Sequence, residues 1–340
     1  MPLWTKKHTI PIVLDSCLNA RSIVFEGKLW TVCDVCDFNN HPYQTRVFVL
    51  DSDLEDFTEI NCIYPNNWEL HLHALITTET DLYMMRTQDV DPDTDHHLYK
   101  FNRATLEWES VVKINRYNDW MSVVIINQIM YVLERSDHYT NYLLTVDLSR
   151  GELLKEDALC LRSGNEFLAS HNATLYMTNI GDYRKVFEIK DGVPIEIAQE
   201  ERKMTDNFFA PAHCSNECVG YACMDEHLLF EARIFDFESL KWESVITHPD
   251  WMRDFTVRVK SVVKMNGLIY TLLWIPQERR LELHVLDLHP KLTSICLAEL
   301  TNHFSEEEDA QKLEGVKQQL PIPMRAKLEE LLKTKREANE

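Results

Sequence analysis

Phe101-Asn102-Arg103-Ala104-Thr105-Leu106-Glu107-Trp108-Glu109-Ser110-Val111 returns 134 residues later as Phe235-Asp236-Phe237-Glu238-Ser239-Leu240-Lys241-Trp242-Glu243-Ser244-Val245. Each copy reads as the end of a strand, a turn opened by Asn or Asp, and a further strand carrying Trp. Asx side chains hydrogen-bond the backbone two residues on, which is why they start turns. A second signal recurs around this one. A turn followed by an apolar-aromatic strand occurs at Lys28-Leu29-Trp30, Asp81-Leu82-Tyr83, Ile129-Met130-Tyr131, Thr174-Leu175-Tyr176, Val219-Gly220-Tyr221 and Leu268-Ile269-Tyr270. Each is followed by a strand ending at a polar position: Asp51, Asn102, Asp147, Lys190, Asp236 and Asp287. The period is about 45–50 residues, a repeat architecture in which each unit is buried only against its neighbours.

Within a unit the alternation is β-like. Met121–Ile126 and Ile129–Leu133 flank Asn127-Gln128, and Ser261–Met265 and Leu268–Leu273 flank Asn266-Gly267, a strong hairpin signal. Four short strands repeated six times define an all-β, six-bladed β-propeller. The expected blades span approximately 20–62, 70–113, 120–158, 166–200, 210–247 and 256–298, within a propeller domain over 1–300. Thr9–Leu14 or Ser294–Leu297 is expected to close the ring and so remove exposed edges.

The order hairpin turn, Leu/Ile-Tyr strand, loop, strand ending in Asp, then Trp six residues on resembles the kelch repeat over residues 20–300. The chain departs from it in one respect. Where kelch strands carry Gly-Gly, this sequence has Val32-Cys33, Met84-Met85, Leu133-Glu134, Met177-Thr178, Cys223-Met224 and Leu273-Trp274. Glycine totals 8 residues, where average usage would give about 24. The resemblance implies a divergent kelch-like propeller of the sort that recruits substrates or scaffolds assemblies, ubiquitin ligases among them.

Charge narrows the partners. With 35 basic and 55 acidic residues the net charge is −20, which repels phosphate backbones and disfavours nucleic acid. No run approaches 18 apolar residues, so no membrane span is expected. Nine irregularly spaced cysteines fit reduced thiols in a cytoplasmic or nuclear protein. Met1–Lys7 lacks the apolar core of a secretory leader. Residues 301–340 read as a helical tail: Ser305-Glu306-Glu307-Glu308 fits a capping box, and Met324, Leu328, Leu331 and Leu332 form a stripe.

No constellation commits to chemistry. Cys33-x-x-Cys36 lacks a second pair at zinc spacing, and His213, Cys214, Cys218 and Cys223 do not supply one. Asp89, Asp91, Asp93 and Asp95 lack the glycine and terminal Glu of an EF-hand loop. No nucleophile elbow, P-loop or dinucleotide fingerprint occurs. The expectation is therefore no catalytic residue, metal or cofactor. Polar-aromatic pairs at Asn67-Trp68, Asp119-Trp120, Asn207-Phe208 and Asp250-Trp251, with Phe167 as a looser match, read as wedges between blades.

Contacts that distinguish this protein are expected in loops that differ between units. These are Asp34–Gln44 with Asn39, His41 and Tyr43, then Thr87–His96 with Asp91 and Asp93, then Arg135–Asn141 with Arg135, His138 and Tyr139. Leu328 and Leu331 are the candidate docking residues of the tail. The functional expectation is a non-enzymatic adaptor, scaffold or substrate-recruiting subunit for a protein partner; the acidic charge reads first as surface solubility and alternatively as steering of a basic partner. The alternatives are a propeller enzyme or small-molecule binder with its site at the central channel, and a cytoskeletal (actin) binder.

Overall fold

The computed structural model describes residues 3–10, 16–36, 44–50, 57–64, 71–90, 93–115, 121–135, 141–159, 166–180, 183–201, 212–214, 217–223, 230–247, 257–265, 268–287 and 328–329. After β1 (Leu3–Ile10), strands β2 (Ser16–Phe25), β3 (Lys28–Cys36), β4 (Gln44–Leu50) and β5 (Thr58–Ile60) form one sheet. The next holds β6 (His71–Thr77), β7 (Leu82–Val90), β8 (Asp93–Asn102) and β9 (Glu107–Asn115). A third contains β10 (Met121–Ile126), β11 (Ile129–Arg135), β12 (Asn141–Asp147) and β13 (Glu152–Leu159). The fourth contains β14 (Glu166–His171), β15 (Thr174–Ile180), β16 (Tyr183–Lys190) and β17 (Val193–Glu201). A fifth is built of β18 (Ala212–Cys214), β19 (Glu217–Cys223), β20 (Phe230–Asp236) and β21 (Lys241–Thr247). The last strands are β22 (Arg258–Met265), β23 (Leu268–Ile275) and β24 (Arg280–Asp287).

The protein is an all-β propeller, and one expectation about it is corrected. Five sheets are blades of four consecutive strands, not six. The remaining sheet is composite, in the order β1-β24-β23-β22, so its outer strand comes from the opposite end of the chain. The physical reason is closure: tying the two ends into one sheet removes an edge that an open ring would expose. First strands pack in sequence, β22 on β2, β2 on β6, β6 on β10, β10 on β14, β14 on β18 and β18 on β22.

The Leu-aromatic dipeptide that marks each unit has a direct explanation. Neighbouring residues on a strand point to opposite faces. Leu29 therefore packs with Val263, Leu272 and Leu283 of the composite sheet, while Trp30 packs with Leu72, Leu82 and Phe101 of the following blade. Leu82 faces back into the cluster holding Trp30, and Tyr83 faces forward with Val123 and Met130. Met130 and Tyr131 divide in the same way. Each of these three dipeptides is a two-sided wedge. The residues standing where kelch repeats carry glycine, Val32, Cys33, Met84 and Met85, are fully buried in these same layers.

The 134-residue recurrence is also structural. Trp108 lies opposite Phe101 and Trp242 opposite Phe235 in register, with ring centroids 5.1 Å apart in both pairs. The polar strand ends are turn starters. Asn102 Oδ1 accepts the Ala104 amide at 3.0 Å, Asp147 Oδ1 the Ser149 amide at 2.8 Å, and Asp236 Oδ1 the Glu238 amide at 2.9 Å. Four residues on, Leu106, Gly151 and Leu240 take positive φ.

Side chains also clip first strand to first strand. Ser261 Oγ accepts the Ser22 amide at 2.9 Å, and Ser122 Oγ accepts the Leu168 amide at 2.9 Å. Each serine lies four residues before the last residue of its strand, and each amide three before the last residue of its own.

By contact clustering, Thr5–Val285 is one compact unit and Met1–Trp4 with Leu286–Glu340 another. Of the expected tail over 301–340, only Leu328 and Glu329 are described. Both are helical and Leu328 is buried; no longer tail helix is seen among the described residues. No described helix is long and apolar enough to cross a membrane.

Two outcomes follow. The hairpin turn Asn127-Gln128 has φ of 51° and 65°, the conformation in which glycine is free of the Cβ penalty, and Leu106 has φ of 57°. Gln128→Gly and Leu106→Gly should each stabilise by about 0.5 kcal/mol, the relieved strain exceeding the added unfolded-chain entropy, and thermal unfolding measures this. The Ser239 hydroxyl holds the Asp236 carboxyl below its usual pKa, and the Ser149 hydroxyl does the same for Asp147. Their turns therefore contribute fully above about pH 4 and lose that contribution as pH falls through the folded values. Asp236→Asn should flatten the acid limb of the melting-temperature profile.

Candidate functional site

The segments singled out as loops in the sequence join second to third strands in three successive blades, but Thr87–His96 is paired strand apart from residues 91–92, because its alternating side chains extend the β7–β8 hairpin. Polar side chains are buried near the ends of these strands. Asp34 pairs in register with Thr45 across β3 and β4, Thr87 with His96 across β7 and β8, and Arg135 with Asn141 across β11 and β12. Arg86 and Glu134 each lie three residues after the blade's Tyr, at equivalent positions of β7 and β11. Asp34, Thr45, Arg86, His96, Glu134 and Asn141 are all at or below 8% exposure.

The best-defined part joins the first blade to the second. Arg86 Nη1 donates to Asp34 Oδ1 at 3.0 Å and to Thr45 Oγ1 at 2.9 Å. The Thr45 hydroxyl donates in turn to Asp34 Oδ1 at 2.9 Å, and the Leu72 amide donates to Asp34 Oδ2 at 2.6 Å. Tyr64 Oη donates to the Thr45 carbonyl at 3.0 Å. Both carboxylate oxygens of Asp34 are therefore engaged, the condition under which a buried charge is tolerated.

Burial holds the Arg86 guanidinium below its ordinary pKa, opposed by Asp34. Burial likewise pushes the hydroxyls of Tyr64 and Tyr99 up. The thiol of Cys62 is pushed up to about 11 by burial, so it is not a thiolate nucleophile at neutral pH. The network is an anchor that ties the bases of two loops together. It is not itself an acid–base pair.

At the equivalent places in the next pair of blades stand Glu134 for Arg86 and His96 for Thr45, with Asn141 one blade further on. The Nδ2 of Asn141 meets no hydrogen-bond acceptor among the described residues. No described group of three His, Cys, Asp or Glu is placed to hold a metal ion.

Of the candidate residues, Asn39, His41, Tyr43, Asp91, His138, Tyr139 and Leu331 lie outside the described residues. Asp93 begins β8 and Arg135 ends β11, at the rims of their loops. Leu328 is fully buried. Of the polar-aromatic pairs only Phe167 is described; it lies on β14. The belt of buried polar groups went unseen in the sequence reading. Its signal is a charged residue ending an apolar strand, as in Leu82-Tyr83-Met84-Met85-Arg86 and Ile129-Met130-Tyr131-Val132-Leu133-Glu134.

No family model matches the sequence, and no curated protein matches it. Among solved structures, the chain is similar to the β-propeller domain of the Trilobed protease from Pyrococcus furiosus, at 9% identity and TM-score 0.43, covering 80% of this chain and 79% of that one. It is also similar to the acylaminoacyl peptidase of Pyrococcus horikoshii, at 9% identity and TM-score 0.45, covering 79% of this chain and 43% of that one. An acylaminoacyl peptidase in complex with Z-Gly-Gly-Phe-chloromethyl ketone gives 9% identity and TM-score 0.44, with the same coverage of both chains. The chain thus spans less than half the length of the two peptidases. These similar structures are peptidases or a domain of one, so the expectation of a non-enzymatic adaptor or scaffold is set aside. At this identity and score no activity carries over from them.

Breaking the anchor should be costly. Arg86→Met leaves the Asp34 charge buried and uncompensated, which is expected to cost about 3–5 kcal/mol in urea unfolding. Asp34→Asn keeps an acceptor for the Leu72 amide, so the double variant should recover at least half of that loss.

Proposed function

We propose that this chain is a ligand-binding or catalytic propeller with its site at the channel mouth, on the end that carries loops 37–43, 91–92 and 136–140. The observation that carries the reading is the buried Asp34–Arg86–Thr45 network beneath those loops. Buried, hydrogen-bonded ion pairs contribute little net stability against apolar side chains of equal volume. What they do provide is a fixed geometry for the strands that launch the loops, the support a preorganised site needs. The polar belt continues through His96, Glu134 and Asn141. Where the first blade meets the composite sheet, Cys33 stands at the position of Arg86 and packs with Trp274.

The ligand is a neutral or cationic small molecule, because a net charge of −20 disfavours anions and nucleic acid. The reading retains a divergent kelch-like ring and cytoplasmic or nuclear residence.

Thermal-shift screening of the full chain against neutral and cationic metabolites tests it. A stabilising compound is expected, with affinity reduced about tenfold or more by Tyr43→Ala or His138→Ala and unchanged by Lys185→Ala on β16. No stabilising compound, or one insensitive to both loop changes, would contradict the site.

A further inference from the structure

At the opposite, hairpin-turn end of the first two blades lies an open cleft of about 550 Å³. Its walls are the β2–β3 turn with Glu26, the segment Glu79-Thr80-Asp81 ahead of β7, and the β8–β9 turn with Arg103. Four carboxylates line it, Glu26, Glu79, Asp81 and Glu109, against two cations, Lys100 and Arg103. Lys100 is committed to Asp81 at 2.9 Å.

Arg103 crosses from the second blade to the first. Its guanidinium carbon lies 4.7 Å from the centroid of the buried Phe25 ring. Nη1 donates to the Glu26 carboxylate and Nη2 to the Thr80 carbonyl. An aromatic face, a carboxylate and a carbonyl around one planar cation are the three elements by which guanidinium groups are recognised. Here they come from two separate segments, Phe25-Glu26 and Thr80, and receive a side chain that is itself 46% exposed. Glu79 stands in the same cleft and meets no cation among the described residues.

We propose that this cleft is a recognition site for an external guanidinium, with Arg103 its tethered stand-in. This goes beyond the channel-mouth reading and is independent of it. A free guanidino compound or an arginine side chain of a peptide enters by displacing Arg103 from Glu26 and Phe25. The surplus carboxylates then accept the displaced charge. The exchange is feasible because an exposed ion pair is weak, while its tether makes Arg103 a standing competitor at millimolar effective concentration.

Isothermal titration with agmatine and with acetyl-Gly-Arg-Gly-amide separates the two ligand sources. Arg103→Ala should bind one or both at least about tenfold more tightly than the unaltered chain, since the competitor is gone. Arg103→Ala/Glu26→Gln should lose that binding, and the citrulline analogue of the peptide should not bind. Absence of binding by both ligands to Arg103→Ala overturns the proposal, as does binding that survives Glu26→Gln or accepts citrulline. Should Arg103→Ala not fold, the unaltered chain still decides. Agmatine is expected to shift the Arg103 Nε–Hε resonance in NMR spectra, and no shift overturns the proposal.

Discussion

Every sheet in this molecule is covered on its faces by its neighbours in the ring, and everything else depends on that arrangement. The core is a series of inter-blade layers: Leu29 with Leu272 and Leu283, Trp30 with Leu82 and Phe101, Tyr83 with Met130. A sheet taken out of the ring would expose apolar surface on both faces. Burial contributes about 25 cal/mol per Å² of such surface, so the ring is stable as a whole or not at all. The return of β1 to the outer edge of the composite sheet turns a row of dependent units into a closed one. The serine clips from Ser261 to Ser22 and from Ser122 to Leu168 act at the same interfaces.

Against that apolar background, the polar interfaces among the first three blades stand out. Arg86 is wholly buried between Asp34 and Thr45, yet a Leu or Met of similar volume would fill the space with less desolvation. What the ionic network adds is directionality. It fixes β3, β4, β6 and β7 relative to one another near the strand ends that residues 37–43 and 91–92 connect. At the other end of the same blades, Arg103 bridges Glu26 and Thr80 across an open cleft. The two ends therefore use charge differently, buried and satisfied at one, exposed and exchangeable at the other.

The fold was legible because its cause is periodic. A strand that packs on both faces needs two apolar neighbours in sequence, and Leu29-Trp30, Leu82-Tyr83, Met130-Tyr131, Leu175-Tyr176 and Ile269-Tyr270 are that requirement written out. The turn Asp and Asn positions were legible for the same reason, since Asx chemistry is local. Closure was harder to read. Thr9 and Ile10 were rightly placed near the join, but nothing in Leu3–Ile10 says that it completes a blade assembled from the far end of the chain. The site was the least legible. Asp34, Arg86 and Thr45 are distant in sequence and meet only when two blades pack, so their pairing has no period and no motif. The glycine-free strands, by contrast, were visible from the start, and packing explains them: Val32, Cys33, Met84 and Met85 fill layers that glycine would leave hollow.

Ring closure by β1 is the claim on which the remainder rests, and deletion of Leu3–Ile10 tests it most directly. The account predicts that thermal unfolding of the shortened chain begins about 5–10 °C lower and loses its single sharp transition, because the apolar contacts of the buried Ile10 are lost and the outer edge of β24 becomes exposed. An unchanged midpoint with one cooperative transition would contradict it.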